Sequence, residues 1–572
     1  MQKTFDNIFV CCYDCMHDVR MRSKKTANEN NKGEIGTTDY DEPVTIEFYS
    51  QISSYRGMLV GWYAQILKDK LNVRVNMVME SDVADEQSGE KLPGDIIVFG
   101  ANAPFERAMD NGQLLNLSDT NAMKEYGAGI LEQKNILRRD DNGDIYGLGT
   151  SNAGVYDYDE PFMTFDIRYD CYAQMGYPAI DTLDDLYEVL CGMHEEYSTD
   201  EQPLYASVFI TEWDDSMDTE LTFMPQLMVS AYYGYEKMGM GFYNDGEYED
   251  ALKINDDGSY GPYLQMVEFY NKLYRNRMLY LGRIDESITQ AERGNVLWSP
   301  VNYIGSNVFN TDSNLSDGKA MLPVVPTEAT PAVYGLSSFG RCVAINADTE
   351  CAEECIRLLD YIFTPEGMLE MEYGPKGLCW DYDENGKTYL TDLGKKCEDN
   401  MSTVLASDDE QFAMFDNMKY RDGISQFNFV PYSMYAVNPD TGERYSDKYW
   451  SSERCKAEEG TIMADWQNHT GSDTVYQYMD NNVDLSVNIS YELSGYCESD
   501  GYDEMGQTWR NVSDIIKEGS FAAVKAATEE EFEAAVEDMI AKAKAAGYNE
   551  CVSWGIEQSE IRKECEERLL KQ

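Results

Sequence analysis

The chain has 572 residues, 43% hydrophobic and 26% charged, and carries a formal net charge of -58 at pH 7. A polyanionic surface repels phosphate backbones and anionic lipid alike, which excludes nucleic acid as a partner and charge-driven membrane association. Aromatic residues make up 12%, with 42 Tyr among them, too many for a disordered chain. The length favours more than one hydrophobic core.

The first 40 residues read as a leader and linker. Cys11, Cys12 and Cys15 cluster beside His17, but no second ligand pair follows at zinc-site spacing. Ile8 to Val10 is too short for the apolar core of a signal peptide, and Met21 to Asp41 is polar and aperiodic. The other cysteines are scattered, and Cys351 and Cys355, one helical turn apart, look like ordinary helix residues. Scattered thiols argue for a reducing or anaerobic setting. No run of about 20 apolar residues occurs anywhere.

The folded part begins near Pro43. Val44 to Tyr49 predicts a strand, Met58 to Leu71 a helix with one apolar face, and Val73 to Met79 a second, alternating strand. Asp95 to Phe99 is a continuous apolar run between Gly94 and Gly100, as in a strand buried on both faces. Asp141-Asn142-Gly143-Asp144 before Ile145 to Leu148 predicts a hairpin. Helices follow at Tyr169–Met175, at Leu183–His194 behind a cap at Asp181 or Thr182, and at Pro262–Tyr274. Val296 to Trp298, Met321 to Val325 and Cys342 to Ile345 predict strands. A helix carrying Ala352 to Phe363 comes next, then a restart at Thr364-Pro365 with Pro in the first turn. Thr528 to Glu531 matches a capping box. Strands alternating with helices define an α/β architecture.

The order of these elements resembles the family of extracellular solute-binding proteins of ABC sugar importers, maltose-binding-protein-like, in its large lipoprotein-type Firmicutes branch. The carrying segments are Gly94 to Gly100, Gly143 to Leu148, Gly318 to Pro323, Thr364 to Gly367 and Tyr373 to Trp380. The resemblance spans roughly 43–572. It implies a two-lobed periplasmic-binding-protein-like fold (type II), each lobe a mixed sheet flanked by helices. Lobe 1 would hold 41–155 and 319–395. Lobe 2 would hold 156–318 and 396–572, ending in a helical extension. The crossings would fall near Asn152–Tyr156, Asp317–Met321 and Thr391–Asn400. It also implies capture of a mono- or oligosaccharide by hinge closure, delivery to permease transmembrane subunits, a monomer, and an extracellular, surface-anchored location. Val10 before Cys11 departs from the family's lipoprotein signal, so anchoring is implied by the resemblance alone.

A sugar site needs aromatic faces for ring C–H patches and planar polar groups for hydroxyls. Ligands of α/β sheets gather outside the carboxyl ends of strands. Candidates in such loops are Ser50, Gln51 and Tyr55, then Asn102. Further along come Trp213 and Asp214, Trp298, Asn302 and Tyr303, Arg341 behind Phe339 and Gly340, and Trp380. Several have a plainer reading: Asn102 as a helix cap, Trp298 as core, Arg341 as a structural ion pair. Asp381, Asp383, Asn385 and Asp392 match the spacing of a calcium loop, with an Asn-Gly hairpin as the plainer alternative. Without a calcium ion there, no cofactor is expected. Glu212-Trp213-Asp214-Asp215 raises the alternative of a glycoside hydrolase. Catalysis is otherwise poorly supplied: there are 3 His, and no metalloprotease, Walker, nucleophile-elbow or dinucleotide motif.

Overall fold

The structure, a computed structural model, describes residues 42–571 apart from 54, 80–90, 133–135, 217–218, 337–340, 425–426, 453–455 and 500. Cys11, Cys12, Cys15, His17, Phe339 and Gly340 lie outside the described residues.

Seven strands form the first sheet, in the order Gly57–Met58, Val73–Met79, Val44–Ser50, Ile96–Phe99, Cys342–Ile345, Ile145–Gly149 and Leu137–Arg139. Val44–Ser50 runs parallel to both of its neighbours, and Cys342–Ile345 runs antiparallel to both of its own. Successive side chains point to opposite faces of a strand. Ile96, Val98, Val343 and Ile345 therefore enter one apolar cluster, while Ile97, Phe99, Cys342 and Ala344 enter another on the opposite face. Burial on both sides explains the unbroken apolar run at 96–99.

The helix Gly61–Leu71 buries Trp62, Tyr63, Ile66 and Leu67 against this sheet. It starts three residues later than the periodicity predicts, because Gly57–Met58 pairs with Val73–Met79 instead. Gly61 has φ +82°, and a Cβ there would lie 2.2 Å from the Asp422 carbonyl oxygen, so only glycine fits. The Trp62 indole N–H donates to the Tyr420 carbonyl at 2.7 Å beside it.

A second set of strands lies in the middle of the sequence. Ser207–Ile210 pairs in parallel with Leu279–Gly282, and a parallel bridge joins Tyr205 to Val296 just before Trp298–Ser299. Asp166–Arg168 runs antiparallel to both Trp298–Ser299 and Met321–Pro323. Helices Leu183–Tyr197, Phe223–Tyr233 and Pro262–Arg275 bury apolar faces here. Three C-terminal helices, Gln507–Val524, Glu529–Ala546 and Tyr548–Leu570, add to the same core. The fully buried Asn271 side-chain amide ends the first of these by donating to the carbonyls of Ala523, Val524 and Ala526 at 3.0, 3.1 and 2.9 Å. No described helix is long and apolar enough to cross a membrane.

Apolar side chains thus gather in two large cores. One draws on Ile46 to Leu148 and Val343 to Trp450, the other on Met163 to Ala332 and Trp466 to Cys565. The chain passes between them after Leu148, again between Ala332 and Val343, and again between Trp450 and Trp466. The second and third passages differ from the expected ones. Met321–Pro323, expected to return to the first sheet, is an edge partner of Asp166–Arg168, so the return waits for Cys342. Cys397 to Trp450, expected in the second lobe, packs in the first core, where Phe427 stacks on Phe48 with ring centroids 4.6 Å apart.

Candidate functional site

At the carboxyl end of the first sheet the backbone turns are closed by side chains of the expected residues. Ser50 is buried, and its hydroxyl oxygen accepts from the amides of Ile52 at 3.3 Å and Ser53 at 3.0 Å. The Gln51 side-chain oxygen accepts from the Gly100 amide at 3.0 Å, tying the loops after two neighbouring strands. Tyr55 donates to the Met58 carbonyl at 2.9 Å. Asn428 reaches in from the later chain and donates to the Ile52 carbonyl at 2.6 Å. The Thr150 amide donates to the Arg341 carbonyl at 3.2 Å, placing Arg341 at the same edge. Asn102 opens the helix Asn102–Asp110 as an exposed residue, and the cap position is Ala101, not Asn102.

In the second set of strands the parallel pair ends at Ile210 and Gly282, and the neighbouring strand Trp298–Ser299 ends at Ser299. The loops beyond them hold Glu212, which pairs with Arg283 at 3.3 Å, and Tyr303, which is 42% exposed. The Asn302 amide donates to the Phe162 carbonyl at 2.9 Å, joining this loop to the segment just after the first passage between cores. Tyr156 on that segment is 59% exposed.

The three tryptophans expected to face a ligand are core residues. Trp213 is 3% exposed and meets Phe223 edge to face at 5.1 Å. Trp298 is fully buried between Phe165 and Phe269, at 5.8 and 5.9 Å. Trp380 is fully buried and donates its indole N–H to the Gly374 carbonyl at 2.8 Å. A large indole stabilises most when wholly removed from water, and Trp298 and Trp380 in strands and Trp213 at the start of the helix Trp213–Ser216 all turn inward. Asp214 accepts from the Phe223 amide at 2.8 Å, so its carboxylate holds the start of the next helix. This occupation weighs against a hydrolase built on that loop.

The Asp381 to Asp392 segment is a hairpin. Trp380–Tyr382 pairs antiparallel with Thr388–Leu390, and Asp383 accepts from the Asn385 and Lys387 amides at 2.8 and 2.9 Å. Asp392 is the first residue of the helix Asp392–Asp399, which Thr391 caps. Among the described residues no three His, Cys, Asp or Glu side chains converge as a metal-ligand set.

A second cluster, which the sequence reading missed, lies where the chain passes between cores. Arg444 donates to Asp480 at 2.8 Å, and its guanidinium lies over the rings of Tyr158 at 4.2 Å and Tyr449 at 5.1 Å. The Tyr158 hydroxyl donates to the same Asp480. Glu160 accepts from Tyr435 at 3.2 Å and also from Tyr476 and Lys448. Burial, then the Asp480 charge, holds the Tyr158 phenol well above its usual range, and burial raises the Asp159 carboxyl. Deprotonating Tyr158 would set a second negative charge against Asp480 in a largely buried site, so the ring stays a neutral donor. The one signal in the sequence is the alternation Tyr156-Asp157-Tyr158-Asp159-Glu160, directly after a predicted passage.

No protein-family model matches the chain, and no curated protein matches it. Among solved structures it is similar to an HMO binding ABC-transporter associated solute-binding protein from Bifidobacterium longum infantis, at 14% identity and TM-score 0.41, over 91% of this chain and 99% of that one. An extracellular solute-binding protein from Bifidobacterium longum subsp. infantis gives 13% and 0.42, over 92% and 100%. An N-glycan transport solute-binding protein from Streptococcus pneumoniae gives 12% and 0.39, over 91% and 99%.

Proposed function

We propose that the chain is the solute-binding component of an ABC importer and that a mono- or oligosaccharide is captured between its two cores. The observation that carries this reading is the triple passage of the chain between two separately packed α/β cores. Two bodies joined in this way can close by bending at the passages. A solute that touches both stabilises the closed arrangement by its differential contacts, and by no more than that.

The loops at the strand ends supply suitable chemistry. Tyr156 and Tyr303 offer exposed ring faces for sugar C–H patches. Gln51, Asn102, Glu212, Arg283 and Arg341 offer planar polar groups for hydroxyls. The importer role, with permease transmembrane subunits as partners and a monomer at the cell surface, rests on the motif order from Gly94 to Trp380.

A thermal-shift screen over neutral mono- and oligosaccharides tests the ligand class. A native-state ligand at 100 times its Kd adds about 2.7 kcal/mol of stability, a clear rise in melting temperature. Stabilisation by peptides or amino acids, with none by any sugar, would overturn the carbohydrate assignment.

A further inference from the structure

Two thiols of the first core meet at a helix start. Cys351 is the residue before the helix Ala352–Ile362, and its sulfur lies 3.8 Å from that of Cys355, one turn on. Their settings differ. Cys355 is fully buried, while Cys351 is partly exposed. The Thr349 hydroxyl lies 3.5 Å from the Cys351 sulfur and is itself held by Asp95, at 2.7 Å. Cys351 sits outside the regular helix, with φ -120° and ψ 44°, so its side chain can turn toward Cys355 without breaking helical hydrogen bonds.

This is the arrangement of an attacking and a resolving thiol. The outer sulfur lies at a helix N-terminus, where the unpaired amides and the dipole favour a thiolate. The hydrogen bond from Cys355 lowers the Cys351 pKa against burial and the Asp95 and Glu354 charges, whereas Cys355 is raised by its bond to Cys351 and by burial. The inner sulfur is shielded from solvent and touches the outer one alone among the cysteines whose sulfur contacts are described.

We propose that Cys351 and Cys355 are a redox-active dithiol that forms a reversible intramolecular disulfide by exchange with a small-molecule disulfide. The Cys351 thiolate attacks one sulfur of the exogenous disulfide, forms a mixed disulfide and expels one thiolate. Cys355 then loses its proton and attacks the Cys351 sulfur, expelling the second thiolate. The protein loses two hydrogens, and one disulfide is reduced to two thiols. Closure shortens the sulfur separation from 3.8 Å to the bonded length of about 2.05 Å.

The test treats the native full-length protein with oxidised glutathione, alkylates the remaining thiols and maps the peptides by mass spectrometry. The expected product is a Cys351–Cys355 bridge in the wild type. Cys355→Ser should keep one glutathionyl group on Cys351, because nothing resolves the mixed disulfide. Cys351→Ser should leave Cys355 unmodified, since that sulfur is buried. Among the described cysteines Cys497 is the exposed competitor, so a Cys497→Ser background removes it, and peptide mapping assigns any label on the remaining cysteines by position. An unbridged wild type with both thiols alkylated, or a Cys355→Ser variant modified everywhere except Cys351, would overturn the proposal. Thermal denaturation of each variant before oxidation separates misfolding from lost reactivity.

Discussion

The Arg444 guanidinium and the Asp480 carboxylate meet at 2.8 Å, and the two residues stand beside Tyr445 of the first core and Met479 of the second. The bond therefore links the two cores. Arg444 is 8% and Asp480 22% exposed at the side chain, so the pair is partly screened from water. Asp480→Asn should strand a buried guanidinium between two tyrosine rings. Losing one partner of a fully buried pair costs about 3–5 kcal/mol, and the partial exposure of Asp480 places this variant nearer about 2–3 kcal/mol. Urea unfolding checks the value. A loss within about 0.5 kcal/mol, the usual range of surface substitutions, would show that the link contributes nothing.

The tryptophans and tyrosines should divide by role. Trp298→Ala removes a fully buried ring and should cost about 3–5 kcal/mol. Tyr303→Ala, at a 42% exposed position, should change stability by about 0.5 kcal/mol or less. Saccharide affinity should fall at least about tenfold for Tyr303→Ala, equivalent to about 1.4 kcal/mol. Calorimetry and denaturation on the same preparations separate the two effects.

The C-terminal helix should depend on Arg562. This fully buried guanidinium donates to Glu236 at 2.6 Å and Glu566 at 2.8 Å and lies over the rings of Tyr243 and Tyr491 at 4.1 and 4.7 Å. Arg562→Ala leaves both carboxylates without their cation and should cost about 3–5 kcal/mol. Limited proteolysis should then cut first within Tyr548–Leu570, where the wild type resists.

Glu372 should make stability depend on pH. Burial, then the charges of Glu398 and Asp447, raise its carboxyl pKa to about 7. The folded value exceeds the unfolded one, so the folded state prefers the protonated form. Stability should therefore fall as pH rises from about 5 through about 7, and Glu372→Gln should remove this fall. At pH 8 the variant should exceed the wild type by about 2–3 kcal/mol at most, and the difference should vanish below about pH 4.5. Parallel denaturation at pH 5 and pH 8 measures it.

Local structure was largely legible in the sequence. The strands at 44–50, 73–79 and 96–99 follow from period-two patterns and apolar runs, and the Thr182, Thr364 and Thr528 caps from short motifs. Which core an element joins was less legible. Met321–Pro323 and Cys342–Ile345 are equally apolar, and only pairing decides that one borders Asp166–Arg168 and the other enters the first sheet. The site was the least legible. A tryptophan in a short loop-flanked element reads the same whether it faces solute or core, and Trp213, Trp298 and Trp380 all proved to be core. The cluster around Arg444 joins residues nearly 300 positions apart, such as Glu160 and Lys448, which no local pattern reveals.

The central claim is that two cores close on a sugar. Small-angle X-ray scattering, with and without the saccharide chosen by thermal shift, tests it most directly. The account predicts a smaller radius of gyration on saturation, and the same compaction reached at higher concentration in Tyr303→Ala. A radius unchanged at saturation by a bound saccharide would contradict it.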